Sequence, residues 1–233
     1  MKNNIFLSII IPCFNEKQTI QKVIKEILSL NLEVSFEIII IDDSSNDGSK
    51  ELIKKIKNSR IRKFYLDKNM GKGYAIRKGF TEAKGEYILI QDADLEYNPC
   101  DYERLIEPVI KYNAEVVYGS RFTSSQPRRV LYFYHYIANK LITLTSNFFT
   151  NLNLSDIETG YKLIKKELLN NIVLKENRFG IEPELTAKLS KQNCVIYEVG
   201  IGYNGRKYSD GKKIGLKDAF RAFYCIIKYN LFE

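Results

Sequence analysis

The sequence predicts an α/β fold, a Rossmann-like and mostly parallel sheet flanked by helices, with amphipathic helices in its C-terminal half. Three observations carry that reading. Short apolar runs alternate with helical patterns over roughly the first 120 residues, the signature of crossover units. The runs are continuously apolar, as strands covered on both faces should be. Each ends in polar or charged residues, and in open α/β sheets ligands bind at that carboxyl edge.

Ile5 to Cys13 is the first strand, and Phe14-Asn15-Glu16 follows it. Ile20, Val23, Ile24, Ile27 and Leu28 then mark the buried stripe of a helix. A second strand, Phe36 to Ile41, runs into Asp42-Asp43-Ser44-Ser45-Asn46-Asp47-Gly48. Leu52, Ile53 and Ile56 belong to the next helix, and Ile61 to Leu66 to the third strand. Asn69-Met70-Gly71-Lys72-Gly73 is a glycine-rich turn opening a helix that passes through Gly79 and Ala83, so its amides and Lys72 can meet a phosphate. It matches neither the Walker pattern nor Gly-x-Gly-x-x-Gly. Tyr87 to Ile90 is the central strand. A helix from about Pro99 to Lys111 and a strand from Glu115 to Tyr118 complete the series, ending in Gly119-Ser120-Arg121.

The central strand leads into Asp92, Asp94 and Glu96. Carboxylates at alternate positions converge where the backbone turns, and such hard oxygen ligands suit Mg²⁺ or Mn²⁺, with coordination sites left for substrate phosphates. A solvated acidic turn gives the same three residues. The charged strand ends before and after them favour a nucleotide-binding edge.

Composition narrows the alternatives. The 233 residues are 45% hydrophobic, enough for one large domain over 1–233. The net charge of +8 suggests an anionic partner. The basic residues are scattered without a recognition motif, so nucleic acid is not expected. Cys13, Cys100, Cys194 and Cys225 form no Cys-x-x-Cys pair, which fits a reducing cytoplasm and neither zinc nor a disulfide framework. The first apolar run stops at Pro12 and has the wrong flanks for a signal peptide, and no uncharged apolar run is long enough to span a bilayer. His135, the single histidine, reads as incidental.

Taken in order, Ile11-Pro12-Cys13-Phe14-Asn15-Glu16, the Asp42–Ser49 segment, Asn69–Gly73 and Gln91-Asp92-Ala93-Asp94-Leu95-Glu96 resemble the family 2 glycosyltransferases with a GT-A fold. The resemblance is nearer to the dolichyl- or polyprenyl-phosphate mannosyl- or glucosyltransferase branch. It continues through Gly119–Phe122, Asp156–Lys162 and Gly205–Lys213. It implies a nucleotide-sugar donor (a UDP- or GDP-hexose) bound by Pro12, Asn15, Glu16, Asp42, Asp43, Gly71 and Lys72 with Asp92, Ala93 and Asp94. It implies a metal on Asp92, Asp94 and Glu96, the last being glutamine in many relatives. Residues 1–122 would be the donor half and 123–233 the acceptor half.

The acceptor divides two readings. A lipid-linked phosphate is already ionised and needs cations; Arg121 and Arg206 match the arginines that relatives use for phosphates, and Lys213 lies close by in sequence. A hydroxyl acceptor, on diacylglycerol or a surface glycan, needs a carboxylate to take its proton, and Glu182, Glu184 and Asp156 are the candidates. Glu182 would serve equally as first-turn charge of the helix running to Lys191. Val130, Tyr134, Ile137, Leu141, Leu144 and Phe148, and later Leu216, Phe220, Phe223, Ile227 and Leu231, recur at helical spacing with basic residues nearby. Such stripes suit either the core or a membrane surface. The leading expectation is an inverting, metal-dependent transfer to polyprenyl phosphate, peripheral on the cytoplasmic face of the membrane, with a membrane partner subunit as a further possibility. A non-catalytic nucleotide-sugar-binding subunit is the remaining alternative.

Overall fold

The computed structural model describes residues 5–123, 129–130, 132–206 and 215–233. Seven strands form one sheet: β1 (Leu7–Cys13), β2 (Phe36–Asp42), β3 (Ile61–Tyr65), β4 (Tyr87–Ile90), β5 (Val116–Ser120), β6 (Lys162–Lys165) and β7 (Ile196–Gly200). Their spatial order is β3-β2-β1-β4-β6-β5-β7. The first four neighbours are parallel, β6 runs antiparallel to both β4 and β5, and β7 is parallel to β5. β1, β2 and β4 have all or nearly all of their residues buried, as their apolar composition requires of strands covered on both faces.

The helices are α1 (Ile20–Ser29), α2 (Ser49–Lys55), α3 (Lys72–Glu82), α4 (Tyr102–Tyr112), α5 (Phe133–Thr150), α6 (Lys166–Asn170), α7 (Ile181–Ser190) and α8 (Leu216–Leu231). In α1 the expected stripe is buried: Ile20, Val23, Ile24 and Ile27 pack with Leu7, Ile9 and Ile11 of β1. α3 presses so closely on β1 that a side chain at Gly79 would collide with Ile10. A second cluster joins β5 and β6 to α5, α7 and α8 through Tyr118, Ile164, Ile142, Leu185 and Ile226.

The two amphipathic stripes lie elsewhere. On α5 the buried residues are Ile142, Thr143 and Ser146, while Tyr134, Leu141, Leu144 and Phe148 are exposed. On α8, Ala222, Cys225, Ile226 and Tyr229 are buried and Phe220, Ile227 and Leu231 are exposed. Each helix therefore packs through a face offset from most of the expected stripe, and several of that stripe's large side chains stay exposed. No helix among the described residues is long and apolar enough to cross a membrane.

The chain visits β2 and β3 on one side of β1, then returns to β4 on the other. The crevice at this reversal, beyond the carboxyl ends of β1 and β4, is where ligands settle in such sheets.

Candidate active site

Three turns at that edge use left-handed backbone at residues other than glycine: Asn15 (φ 54°) after β1, Ser44 (φ 61°) after β2 and Leu95 (φ 62°) after β4. This conformation is uncommon for side-chain-bearing residues, and here it folds each strand end back over one cavity of about 520 Å³. Pro12, Glu16, Asp43, Gly71, Lys72, Asp92, Ala93, Asp94, Glu96, Arg121, Glu182 and Arg206 all line it. Asn15, Asp42 and Glu184 do not, and Lys213 lies outside the described residues.

Asp92 stands on a rigid base. The buried Gln91 side chain accepts hydrogen bonds from Tyr102 and Tyr161 at 2.7 and 2.6 Å and donates to the Asp92 carbonyl at 2.8 Å. Gly160 lies so near that a Cβ there would be 2.5 Å from Asp92 Oδ2. Lys72 Nζ bridges Asp92 Oδ1 at 2.9 Å and Glu182 Oε1 at 3.1 Å. Burial alone would lower the Lys72 pKa, but those two carboxylates hold it well above its ordinary value.

The neighbouring acids share another cation. Arg206 places its guanidinium 2.7 Å from Asp94 Oδ2 and 3.0 Å from Glu16 Oε1, and its backbone N–H donates to Glu96 Oε1 at 2.7 Å. Tyr203 completes this strap by donating its hydroxyl to the other Glu96 oxygen at 2.9 Å. Burial, reinforced by Asp92 and Glu96, still raises Asp94 to about 6 against the pull of Arg206. The all-oxygen donor set suits Mg²⁺ or Mn²⁺, and an ion that also binds substrate phosphates needs only one or two carboxylates. Among the described residues no ready group of three His, Cys, Asp or Glu ligands exists. The acids therefore fit an ion once Arg206 and Lys72 give way, because these two cations now occupy their oxygens.

Beyond the end of β2, Asp43 accepts from Asn69 Nδ2 at 3.0 Å and from the Met70 and Gly71 amides at 2.7 and 2.8 Å. It thereby shapes the glycine turn, where Gly71 has φ 98°. Burial raises the Asp43 pKa, with the two amides opposing. The Asn15 side chain accepts from the Asn46 amide at 2.9 Å and ties the first loop to the second. Asp42 is fully buried, its Oδ2 weakly bonded to the Ser45 amide at 3.3 Å and its Oδ1 without a hydrogen-bond partner.

The candidate bases separate clearly. Glu184 is fully buried and accepts from the Lys175 and Glu176 amides, each at 2.7 Å, and from Lys188 at 2.7 Å. It clasps the loop before α7. Asp156 is consumed by Arg121, taking Nε and the second guanidinium nitrogen at 2.7 Å each. Glu182 alone keeps a cavity position, with Oε2 buried and lacking any hydrogen-bond partner. Sequence reasoning missed Glu158, Tyr97, Arg178 and Asp218, which also line the cavity, and dismissed His135, which does too. Only Glu158 carried a signal, as part of the Asp156–Lys162 segment.

The glycosyl transferase family 2 model matches residues 8–173. An uncharacterized protein of Methanocaldococcus jannaschii is 29% identical over 88% of this chain and 93% of its own length. A dolichyl-phosphate beta-glucosyltransferase of Dictyostelium discoideum is 29% identical over 91% of this chain and 69% of its own. The chain spans 64–74% of the length of this and three other curated relatives named for lipid-phosphate sugar transfer. Among solved structures, glucosyl-3-phosphoglycerate synthase from Mycobacterium tuberculosis with Mn²⁺, UDP and phosphoglyceric acid has a TM-score of 0.74 at 17% identity. The match covers 98% of this chain and 79% of that one.

These findings correct several expectations. The fold places the chain beside glucosyl-3-phosphoglycerate synthases, so the polyprenyl-phosphate branch, the lipid-linked acceptor, the membrane partner and the peripheral membrane location are set aside. The geometry supplies a physical reason. Arg121, meant to grip the acceptor phosphate, is neutralised by the fully buried Asp156 of the chain itself. A family model covering most of the chain, on a sheet whose reversal point gathers these acids, leaves one conclusion: the chain belongs to glycosyl transferase family 2 and is a nucleotide-sugar-dependent glycosyltransferase of GT-A fold.

Proposed function

We propose that the chain transfers a hexose from a UDP-sugar to a hydroxyl group of a small, water-soluble acceptor, with inversion at the anomeric carbon. The nucleotide lies along Pro12, Glu16, Asp43 and Gly71, and its diphosphate meets the amino end of α3 beside Lys72. Asp92 and Asp94, with Glu96 nearby, would hold Mg²⁺ or Mn²⁺, the ions present in the synthase structures, and such an ion neutralises charge on the departing diphosphate.

The acceptor oxygen bonds to the anomeric carbon as the bond from that carbon to the β-phosphate oxygen breaks. The electron pair leaves with UDP, and the hydroxyl proton passes to Glu182. Inversion follows from this single displacement, which uses no enzyme nucleophile. Lys72 pairs with the other Glu182 oxygen, and on releasing Asp92 to the ion it can keep that contact with the base.

The observation that carries this reading is the buried, unpartnered Oε2 of the cavity-lining Glu182, when Glu184 and Asp156 are both committed elsewhere. A hydroxyl needs such a base. Labelled UDP-glucose and Mn²⁺ incubated with small hydroxy acids, phosphoglyceric acid first, should give labelled water-soluble product. Glu182→Gln should slow the transfer by about 10²–10⁴-fold. Label recovered only in an organic-extractable product, or a Glu182→Gln enzyme of full activity, refutes the proposal.

A further inference from the structure

Three cations that reach the cavity are balanced by carboxylates: Lys72 by Asp92 and Glu182, Arg121 by Asp156, and Arg206 by Glu16 and Asp94. Two carboxyl oxygens stand apart. Glu158 Oε1 and Glu182 Oε2 are both buried, and neither has a hydrogen-bond partner. Both side chains line the cavity, and Glu182 is only 6% exposed. Buried acceptors are rarely left unmade because the loss is costly, so a ligand is expected to complete them.

The position of Glu158 narrows what that ligand group is. It lies two residues before Gly160, whose bare backbone rests against Asp92 Oδ2 and accepts no side chain there. The segment therefore brings Glu158 to the neighbourhood of the first acid of the cluster. The chemistry narrows it further. Burial and the charge of Glu182 both disfavour a second negative charge and raise Glu158 to about 8. A protonated carboxyl both donates and accepts. An anion would meet the Glu182 carboxylate, and a further cation would join Lys72, Arg121 and the fully buried Lys162. Neutral hydroxyl groups, which donate and accept in the same way, satisfy both oxygens without adding charge.

We infer that Glu158, which lines the cavity together with Glu182, is a recognition residue for the hexose of the donor, accepting and donating hydrogen bonds to its ring hydroxyls. The inference rests on the nucleotide-sugar reading of the same cavity and adds a residue that selects the sugar. Glu182 receives the acceptor's proton, while Glu158 holds the hexose in place.

The test compares two ligands that differ only by the sugar. Binding of UDP and of UDP-hexoses (glucose, galactose and N-acetylglucosamine) is measured by calorimetry with Mn²⁺ for the wild type, Glu158→Gln and Glu158→Ala. Glu158→Ala should weaken the preferred UDP-hexose about tenfold or more while UDP stays within about twofold. Glu158→Gln, of the same shape and still able to donate and accept, should retain most of the affinity but alter the ranking of hexoses. The glutamine variant also covers the case in which the alanine variant fails to fold. Equal losses for UDP and UDP-hexose, or no loss for either, overturn the role of Glu158 alone. A wild-type protein that binds neither UDP nor any UDP-hexose overturns the donor reading as well, so the two failures are distinct.

Discussion

Removing Arg206 should make the enzyme bind Mn²⁺ more tightly in the absence of nucleotide. Its guanidinium lies 2.7 Å from Asp94 and 3.0 Å from Glu16, and those side chains are 18% and 7% exposed. At an effective dielectric near 20 a unit pair about 4 Å apart is worth roughly 4 kcal/mol. Arg206 itself is 20% exposed, so solvent screening reduces this. A net competition of about 1.4–2.8 kcal/mol corresponds to a ten- to hundred-fold change in affinity. Arg206→Ala should show that gain in a Mn²⁺ titration followed by the free-ion paramagnetic signal. The titration belongs at pH 8, because Asp94 sits at about 6 with Arg206 present and rises further once that cation is removed. Adding Asp94→Asn to Arg206→Ala should abolish the gain. Unchanged or weaker Mn²⁺ binding by the single variant would refute the view that Arg206 and a metal ion compete for these acids.

Gly160→Ala should keep the fold at a cost of about 1–3 kcal/mol and lose most turnover, since the new methyl falls 2.5 Å from Asp92 Oδ2; denaturant midpoints and rates measured side by side check it. Glu184→Ala should lower stability by about 3–5 kcal/mol, because it leaves Lys188 and two loop amides without their buried partner. Glu182→Ala, by contrast, should lose activity well before it loses stability. Glu158 is raised from 4.5 to about 8, so the folded state keeps a proton that the unfolded chain releases earlier. Its contribution to stability is full below pH 4.5 and is lost as pH rises through 8, so wild type should fall relative to Glu158→Gln across that window in pH-dependent unfolding.

Strands β1 to β5 were legible because buried parallel strands are continuous apolar runs that stop abruptly at polar residues. Asp42, Asp92 and Arg121 mark those stops, and all belong to the sheet edge that forms the site. β6 was not legible. Its four residues, Lys162–Lys165, carry too short a pattern, and only pairing with β4 and β5 makes them a strand. The roles of the carboxylates depended on partners distant in sequence. Asp156 meets Arg121 across 35 positions, and Glu16 meets Arg206 across 190. Glu182 and Glu184 are two residues apart on one helix, yet one faces the cavity and the other clasps a loop. No spacing rule distinguishes them. The lipid-phosphate acceptor was misread for the same reason: Arg121 and Arg206 look available in sequence and are ion-paired in three dimensions.

The segment ahead of α7 joins the start of α3 to the last helix. Its Asn177 carbonyl accepts from Tyr74 N–H on α3, while its Glu176 carboxylate binds Arg221 and Tyr229 of α8. The last helix is thus a buttress for the turn that opens α3, besides contributing Asp218 to the cavity lining. At the far end Glu233 meets Lys175 at 2.7 Å, anchoring the same segment from behind. A substitution at Glu176 or Arg221, neither of which lines the cavity, would therefore be felt at the turn that opens α3 through Asn177.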